Sequence, residues 1–231
     1  MMEMRLSFKK GNLYAEDNGN TFLIASGSPK SFGRLKNIEI EGKSFPILNS
    51  FMGLDSEKLS EVYRLKIDAV IGLNILNEFD VIFDLKNPEN GKIEFSKEIF
   101  ETEGIKIPIT VERGVFPALE VSVSGESFKM FFDTAAAISY LEGVDLKEMG
   151  GEKEKDYTDY YHGIGTFTTE TYRLKVNFGK LEKSLRFGRL PKTLGEHLKF
   201  VLKKDGIIGN EFFLGSEVLY SSERKFLIYK K

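Results

Sequence analysis

The chain has 231 residues, and its 33 Lys and Arg nearly balance its 35 Asp and Glu. This balance excludes the strongly basic surface typical of nucleic-acid-binding proteins and the acidic blocks typical of disordered tails. The chain has no cysteine and only two histidines, so disulfides and thiolate metal sites are excluded and a histidine metal cluster is not expected. We therefore predict no nucleic-acid partner, no metal and no cofactor.

Hydropathy indicates a cytoplasmic protein without a membrane partner. Residues 1–7 contain no apolar stretch of signal-peptide length. No apolar run approaches the ~20 residues that a membrane helix needs. The 20 Phe and nine Tyr favour a β-rich core, because aromatic side chains suit a pleated, half-buried surface.

The first half alternates short strands with turns, and the turn at residues 17–20 is typical of a hairpin. Apolar spacing predicts a short amphipathic helix at 55–66 and another helix near 74–78. The strand before Ala25-Ser26-Gly27-Ser28 delivers that loop from the core. Predicted strands occupy residues 4–8, 13–15, 21–24, 38–45, 79–84 and 92–96.

Residues 97–105 are the predicted linker, and they are not Pro-rich or Ser-rich, so we expect tightly packed halves. In the second half the apolar run Met130-Phe131-Phe132 predicts a buried strand that ends at Asp133-Thr134-Ala135. This half has a longer middle, residues 145–190, in which 157–169 are typical of a mobile β-hairpin. We expect His162 to be a polar loop residue and His197 to lie on the surface of a helix.

The two halves repeat the same landmarks in the same order. Each has an apolar strand that enters a loop with a hydroxyl residue, at Ser26 and at Thr134. Each then has an Asp-apolar-Gly motif, Asp68-Ala69-Val70-Ile71-Gly72 and Asp205-Gly206-Ile207-Ile208-Gly209, followed by a bulky apolar pair and two strands. These matched landmarks indicate an internal duplication.

The repeat resembles two retropepsin-like or pepsin-like aspartic peptidase lobes fused in one chain. The resemblance implies an all-β, bilobal, acid-protease-like double β-barrel with a few short helices, divided into lobes at 1–104 and 105–231. It implies that the 157–169 hairpin is a flap over a cleft, with Tyr161, Gly163, Ile164 and Gly165 contacting bound peptide. The first half is too short between Phe32 and Asp55 for a comparable flap, so a single flap, on the second half, is expected.

The resemblance also implies a catalytic pair of carboxylates about 3 Å apart that share one proton. Asp133 is the catalytic candidate, but Ala25 stands at the position of its partner. In this family the hydroxyls after the two aspartates lock the loops together, a role that falls to Ser26 and Thr134. Gly27 keeps the small residue of the motif and Ala135 replaces it. With one carboxylate, Asp133 should titrate as a single group, shifted only by burial and local hydrogen bonds.

Three functions remain open from the sequence. The chain binds an extended peptide or unfolded segment with impaired hydrolysis, or it is an active endopeptidase silenced by a change at Ala25. A natural alanine and an introduced one are indistinguishable in the sequence. The third possibility is a β-rich interaction module without a cleft function. We expect a monomer, because the first half already occupies the partner position that a second copy would fill.

Overall fold

The chain is built mainly from β-strands in the computed structural model, which describes residues 1–97 and 103–231. The predicted linker therefore falls partly outside the described residues. The first half contains two short helices, α1 (Ser56–Tyr63) and α2 (Leu73–Leu76). Its strands are β1 (Met2–Lys9), β2 (Asn12–Asp17), β3 (Asn20–Ile24), β4 (Phe32–Gly33), β5 (Asn37–Ile40), β6 (Lys43–Pro46), β7 (Ser50–Phe51), β8 (Leu54–Asp55), β9 (Ala69–Ile71), β10 (Asp80–Asp84) and β11 (Gly91–Ser96).

The second half contains a hairpin, residues 152–178, that is longer than the one predicted at 157–169. One helix, α3 (Lys192–Glu196), continues into a π-helical turn at His197–Val201. A 3₁₀ turn covers Asn210–Phe213. The strands are β12 (Ile105–Pro108), β13 (Thr110–Glu112), β14 (Phe116–Val123), β15 (Glu126–Phe132), β16 (Ser139–Leu141), β17 (Glu152–Tyr161), β18 (Gly165–Phe178), β19 (Leu181–Gly188), β20 (Gly206–Ile208), β21 (Glu217–Ser221) and β22 (Phe226–Lys230). Among the described residues, no helix has the length and apolarity required to cross a membrane.

Two large sheets organise the molecule, and the prediction of an all-β bilobal fold is confirmed. The first has ten strands in the order β12-β22-β21-β10-β11-β1-β2-β3-β9-β4, so it contains strands from both halves. The halves join where β10 pairs antiparallel with β21, with Phe83 opposite Val218. The second sheet has eight strands, and an additional pairing of β14 with β18 closes it on itself.

The duplication inferred from the sequence recurs in the sheet registers. In the first half β3 pairs in parallel with β9, and in the second half β15 pairs in parallel with β20. The Asp68 carboxylate accepts a hydrogen bond from the Thr21 amide at 2.8 Å. The Asp205 carboxylate accepts one from the Lys129 amide, also at 2.8 Å. Each aspartate of the Asp-apolar-Gly motif thus holds the strand that leads into one of the two loops.

The glycines that end these motifs have equivalent partners as well. The Gly72 amide donates to the Ser31 hydroxyl at 2.9 Å, and the Gly209 amide donates to the Ser139 hydroxyl at 3.1 Å. A Cβ at either glycine would come within 2.8 Å of backbone carbonyl oxygens. Both glycines are therefore required by the close approach of two backbone segments.

A cluster of phenylalanine rings packs where the halves meet. Phe213 lies with its ring centroid 4.8 Å from that of Phe83 and 5.3 Å from that of Phe132. Phe212 packs edge-on against Phe132 at 5.5 Å. Aromatic pairs at these separations stabilise beyond simple area burial. Two of these rings pack against Phe132, the last residue of β15, and so support the strand that leads to Asp133.

Candidate functional site

The two loops that follow β3 and β15 interlock through Ser26 and Thr134. The Ser26 amide donates to the Thr134 hydroxyl at 2.8 Å, and the Thr134 amide donates to the Ser26 hydroxyl at 2.9 Å. In turn, the Ser26 hydroxyl donates to the Phe132 carbonyl and the Thr134 hydroxyl to the Ile24 carbonyl, both at 2.9 Å. Both residues are buried, so four hydrogen bonds shielded from water join the halves at this point.

The backbone at Ala25 matches the backbone at Asp133. The Ala25 amide donates to the Ile71 carbonyl at 3.0 Å, and the Asp133 amide donates to the Ile208 carbonyl at 2.9 Å. The two positions are therefore equivalent in their own halves, and they line the same cavity. The difference between them is chemical, because one bears a carboxylate and the other a methyl group.

The Asp133 carboxylate accepts hydrogen bonds from both loops. Its Oδ1 accepts from the Ala135 amide at 2.8 Å and from the Gly27 amide across the interface at 3.0 Å. Among the described residues, no donor lies within hydrogen-bond distance of Oδ2. A Cβ at Gly27 would lie 2.2 Å from that oxygen, so position 27 requires glycine. Ala135 does not have a left-handed backbone, so its methyl group introduces no backbone strain.

Burial raises the pKa of Asp133 above its ordinary value, and the Ala135 and Gly27 amides partly oppose this rise. The charge of Asp159 raises the pKa of Asp133 further. The expectation that burial and local hydrogen bonds alone would shift this pKa is therefore wrong. A second carboxylate, from the long hairpin, acts on the site.

Asp159 was not singled out in the sequence. It lies on β17, where Oδ1 accepts from the Tyr160 amide at 2.8 Å and Oδ2 accepts from the Tyr140 hydroxyl. Burial raises the pKa of Asp159, whereas its hydrogen bond from Tyr140 lowers it. The run Asp156-Tyr157-Thr158-Asp159 is polar, and only its period-two alternation indicates that Tyr157 and Asp159 share a less exposed face.

Replacing Asp159 with asparagine should make stability less dependent on pH. A carboxyl whose pKa is raised by folding contributes stability below its unfolded pKa, and that contribution is lost as pH rises through the folded pKa. Asp159→Asn stays neutral and keeps an oxygen for the Tyr140 hydroxyl. Its unfolding free energy should exceed that of the parent at pH 8, and the difference should shrink towards zero at pH 4, as measured by urea unfolding. Asp156→Asn, exposed on the same strand, is the control, and an equal difference at both pH values would contradict the expectation.

Two hairpins, one from each half, meet above the loops. The long hairpin β17–β18 turns at residues 161–165, where Tyr161 and Ile164 are exposed and Gly163 and Gly165 have positive φ. The short hairpin β7–β8 turns at Met52 and Gly53 in the first half. The His162 Nε2 atom lies within hydrogen-bond distance of the Met52 carbonyl oxygen. The tips thereby touch across the top of the cavity.

The cavity between the loops and the hairpins has a volume of about 550 Å³. Its floor includes Ala25, Gly27 and Asp133, and its roof includes Tyr161 and His162. His197, expected on an exposed helix surface, is indeed exposed but also lines the cavity. Leucines from both halves and seven aromatic rings form the rest of the wall. The lining is thus largely apolar around one carboxylate.

No metal cluster accompanies the cavity in the part of the chain that the structure describes. Within 1–97 and 103–231, no group of three or more His, Cys, Asp and Glu side chains is arranged to hold a metal ion. The sequence-predicted residues that meet at the floor are Ala25, Ser26, Gly27, Asp133, Thr134 and Ala135. Of the four residues predicted to lie in the flap, Tyr161 lines the cavity, and Gly163, Ile164 and Gly165 form the tip of the long hairpin.

Comparisons with known proteins identify the fold. No family model and no curated protein matches this sequence. Among solved structures, the crystal structure of basic 7S globulin from soybean matches with a TM-score of 0.53 and 9% sequence identity. The match covers 99% of this chain and 94% of that chain. The chain therefore has a pepsin-like, aspartic-protease-like fold.

Proposed function

We propose that the chain binds an extended peptide or unfolded protein segment in the cleft between its two halves, and that its hydrolytic activity is impaired. The observation that carries this proposal is the cavity of about 550 Å³ above interlocked loops, with Asp133 on its floor and two hairpins over it. Grooves of this kind bind extended chains through main-chain hydrogen bonds and side-chain pockets. In this proposal the long hairpin acts as a flap.

Impaired hydrolysis is inferred because, among the described residues, Asp133 is the only carboxylate at the floor. Activation of water by a carboxylate pair needs one ionised and one protonated member, which a single Asp133 cannot supply at once. General acid–base steps contribute about 10²–10⁴-fold each. Asp159 does not replace the missing group at the floor, because its carboxylate is engaged by Tyr140 and it does not line the cavity.

A second candidate function is an active endopeptidase silenced at position 25. The equivalent backbone hydrogen bonds at Ala25 and Asp133 favour it, because they place position 25 in the first half where Asp133 stands in the second. An interaction module without a cleft function is less favoured, since the cavity runs beneath the long hairpin. We retain as parts of the proposal a lobe boundary at residue 104, a monomeric state and a cytoplasmic location.

Peptide binding is tested with a pool of blocked apolar octapeptides and fluorescence detection. The parent chain should bind members of the pool, and Leu194→Trp, which fills the cavity from α3, should weaken binding by at least about tenfold, or ~1.4 kcal/mol. Lys192→Trp adds the same ring at an exposed position on the same helix and should change affinity little. Absence of binding, or equal weakening by both variants, would contradict the proposal.

A further inference from the structure

The carboxyl groups at and near the floor of the cleft have no basic partner among the described residues. Among the described residues, no lysine or arginine lies close enough to lower the pKa of Asp133 or Asp159. After burial, the charge of Asp133 also raises the pKa of Tyr161, and both carboxylates raise that of Tyr63. Two tyrosines, one from α1 and one from the long hairpin, thus lie near the same carboxyl group.

Basic residues line the cavity only away from this floor. Arg113 is exposed at the turn of the β13–β14 hairpin, His162 is held at the roof by the Met52 carbonyl, and His197 is exposed at the turn after α3. None of these side chains acts on the pKa of Asp133. Because a partly desolvated carboxylate gains most from a cation brought close to it, the floor lacks the partner that its chemistry favours.

The walls beside the floor suit a cation on an apolar stem. Tyr63, from the end of α1, and Tyr161, from the long hairpin, line the cavity together with Phe51 and Phe131. Aromatic faces attract ammonium groups, and their attraction strengthens when water is excluded. The leucines of α3 and the following turn extend the apolar surface that an alkyl stem would contact.

Space for such a group exists opposite Asp133. Ala25 lines the cavity and contributes only a methyl group at the position equivalent to Asp133. Asp133 Oδ1 is occupied by the Ala135 and Gly27 amides, whereas Oδ2 has no donor among the described residues. The free acceptor and the small side chain therefore lie on the same floor.

We propose that the cleft selects ligands with a primary ammonium group, which lies at the floor beside Ala25 with Asp133 as its counter-ion. This inference rests on the proposed peptide-binding function and names the ligand chemistry of the same site. The ammonium is either a lysine side chain or a free amino terminus on an apolar peptide. Both present an –NH₃⁺ donor to Oδ2 and an alkyl portion to the aromatic walls.

Three matched peptides test the inference on the full chain. The first is an apolar octapeptide blocked at both ends with one central lysine, the second has norleucine instead of lysine, and the third has norleucine and a free amino terminus. The lysine peptide, the free-amine peptide or both should bind at least about tenfold more tightly than the blocked norleucine peptide. The lysine and free-amine peptides separate the two sources of the ammonium group.

Two variants connect the preference to Asp133. Asp133→Asn should remove the advantage of the ammonium peptides, and Glu126→Gln, at an exposed carboxylate on the distant end of β15, should preserve it. Equal affinities for all three peptides would overturn the inference while leaving peptide binding intact. An advantage that survives in Asp133→Asn would also overturn it.

A small probe tests the floor without a peptide. Hexylammonium and hexanol share an alkyl chain and differ in charge, and their binding to the chain can be followed by the shift in melting temperature. Hexylammonium should raise the melting temperature of the parent more than hexanol does, and the excess should vanish in Asp133→Asn. Equal shifts from both probes would overturn the ammonium inference even where no peptide binds.

Discussion

Replacing Ala25 with aspartate is expected to raise the rate of peptide hydrolysis at mildly acidic pH by about 10²-fold or more over the parent chain. The substitution adds a carboxylate at a position whose backbone hydrogen bonds match those of Asp133. Two carboxylates about 3 Å apart cannot both ionise, so they share one proton. The ionised carboxylate then acts as the base and the protonated one as the acid. Cleavage of a mixed peptide library between about pH 3 and pH 7 measures the gain.

Ala25→Asn is the control for this gain, because it matches aspartate in size and cannot act as a base. The double variant Ala25→Asp with Asp133→Asn tests whether both carboxylates are needed. If Ala25→Asp folds but cleaves no member of the library, the site lacks something besides the second carboxylate. Cleavage by the parent chain that disappears in Asp133→Asn would contradict the inference that one carboxylate is insufficient.

Ser26→Ala is expected to lower the free energy of unfolding by about 2–4 kcal/mol, the largest stability effect anticipated at the site. The hydroxyl donates to the Phe132 carbonyl and accepts from the Thr134 amide, and both partners would lose a buried hydrogen bond. An unsatisfied buried polar group costs about 1–3 kcal/mol. Urea unfolding of the parent and the variant gives the difference.

Ser28→Ala is the matched control, because the one partner of the Ser28 hydroxyl among the described residues is the Lys30 carbonyl, two residues along the chain. It should change the free energy of unfolding by less than about 1 kcal/mol.

Thr134→Val removes the equivalent hydroxyl in the second half and should lower the free energy of unfolding about as much as Ser26→Ala does. Combining the two should cost less than their sum, since the hydroxyls bond to each other's loops. A Ser26→Ala chain as stable as its parent would contradict the proposed interlock.

Much of the fold could be predicted because its signals are local. The apolar run before Asp133 predicts a buried strand, and the turn at 17–20 is a true hairpin turn in which Asn18 and Gly19 both have positive φ. Helix α1 begins after Asp55, whose side chain accepts from the Lys58 amide at 2.8 Å, within the predicted 55–66. The contact between the loops at Ser26 and Thr134 could be predicted from the internal duplication, but not from the sequence of either loop alone.

What could not be predicted depends on contacts between distant residues. The β7–β8 hairpin has two-residue strands and turns at Met52-Gly53, which lacks the usual Asn-Gly or Asp-Gly signal. Only the weak period-two alternation of the strand separates Asp159 from its exposed neighbour Asp156 before the long hairpin folds over Tyr140. His197 lines the cavity only because the turn after α3 faces the cleft. None of these positions has a sequence signal stronger than that of an ordinary loop.

The pairing of β10 with β21 also constrains how the chain is synthesised and folds. The β10 edge at Asp80 is covered by Ser221, so it stays open on the ribosome until Ser221, far along the chain, has been made. Contacts of such long sequence separation slow folding, because the intervening loop must close before they form. An open strand edge is also a template for pairing with another nascent chain. Productive folding of this molecule is thus expected to wait for the synthesis of β21 and to benefit from chaperones that shield β10 until then.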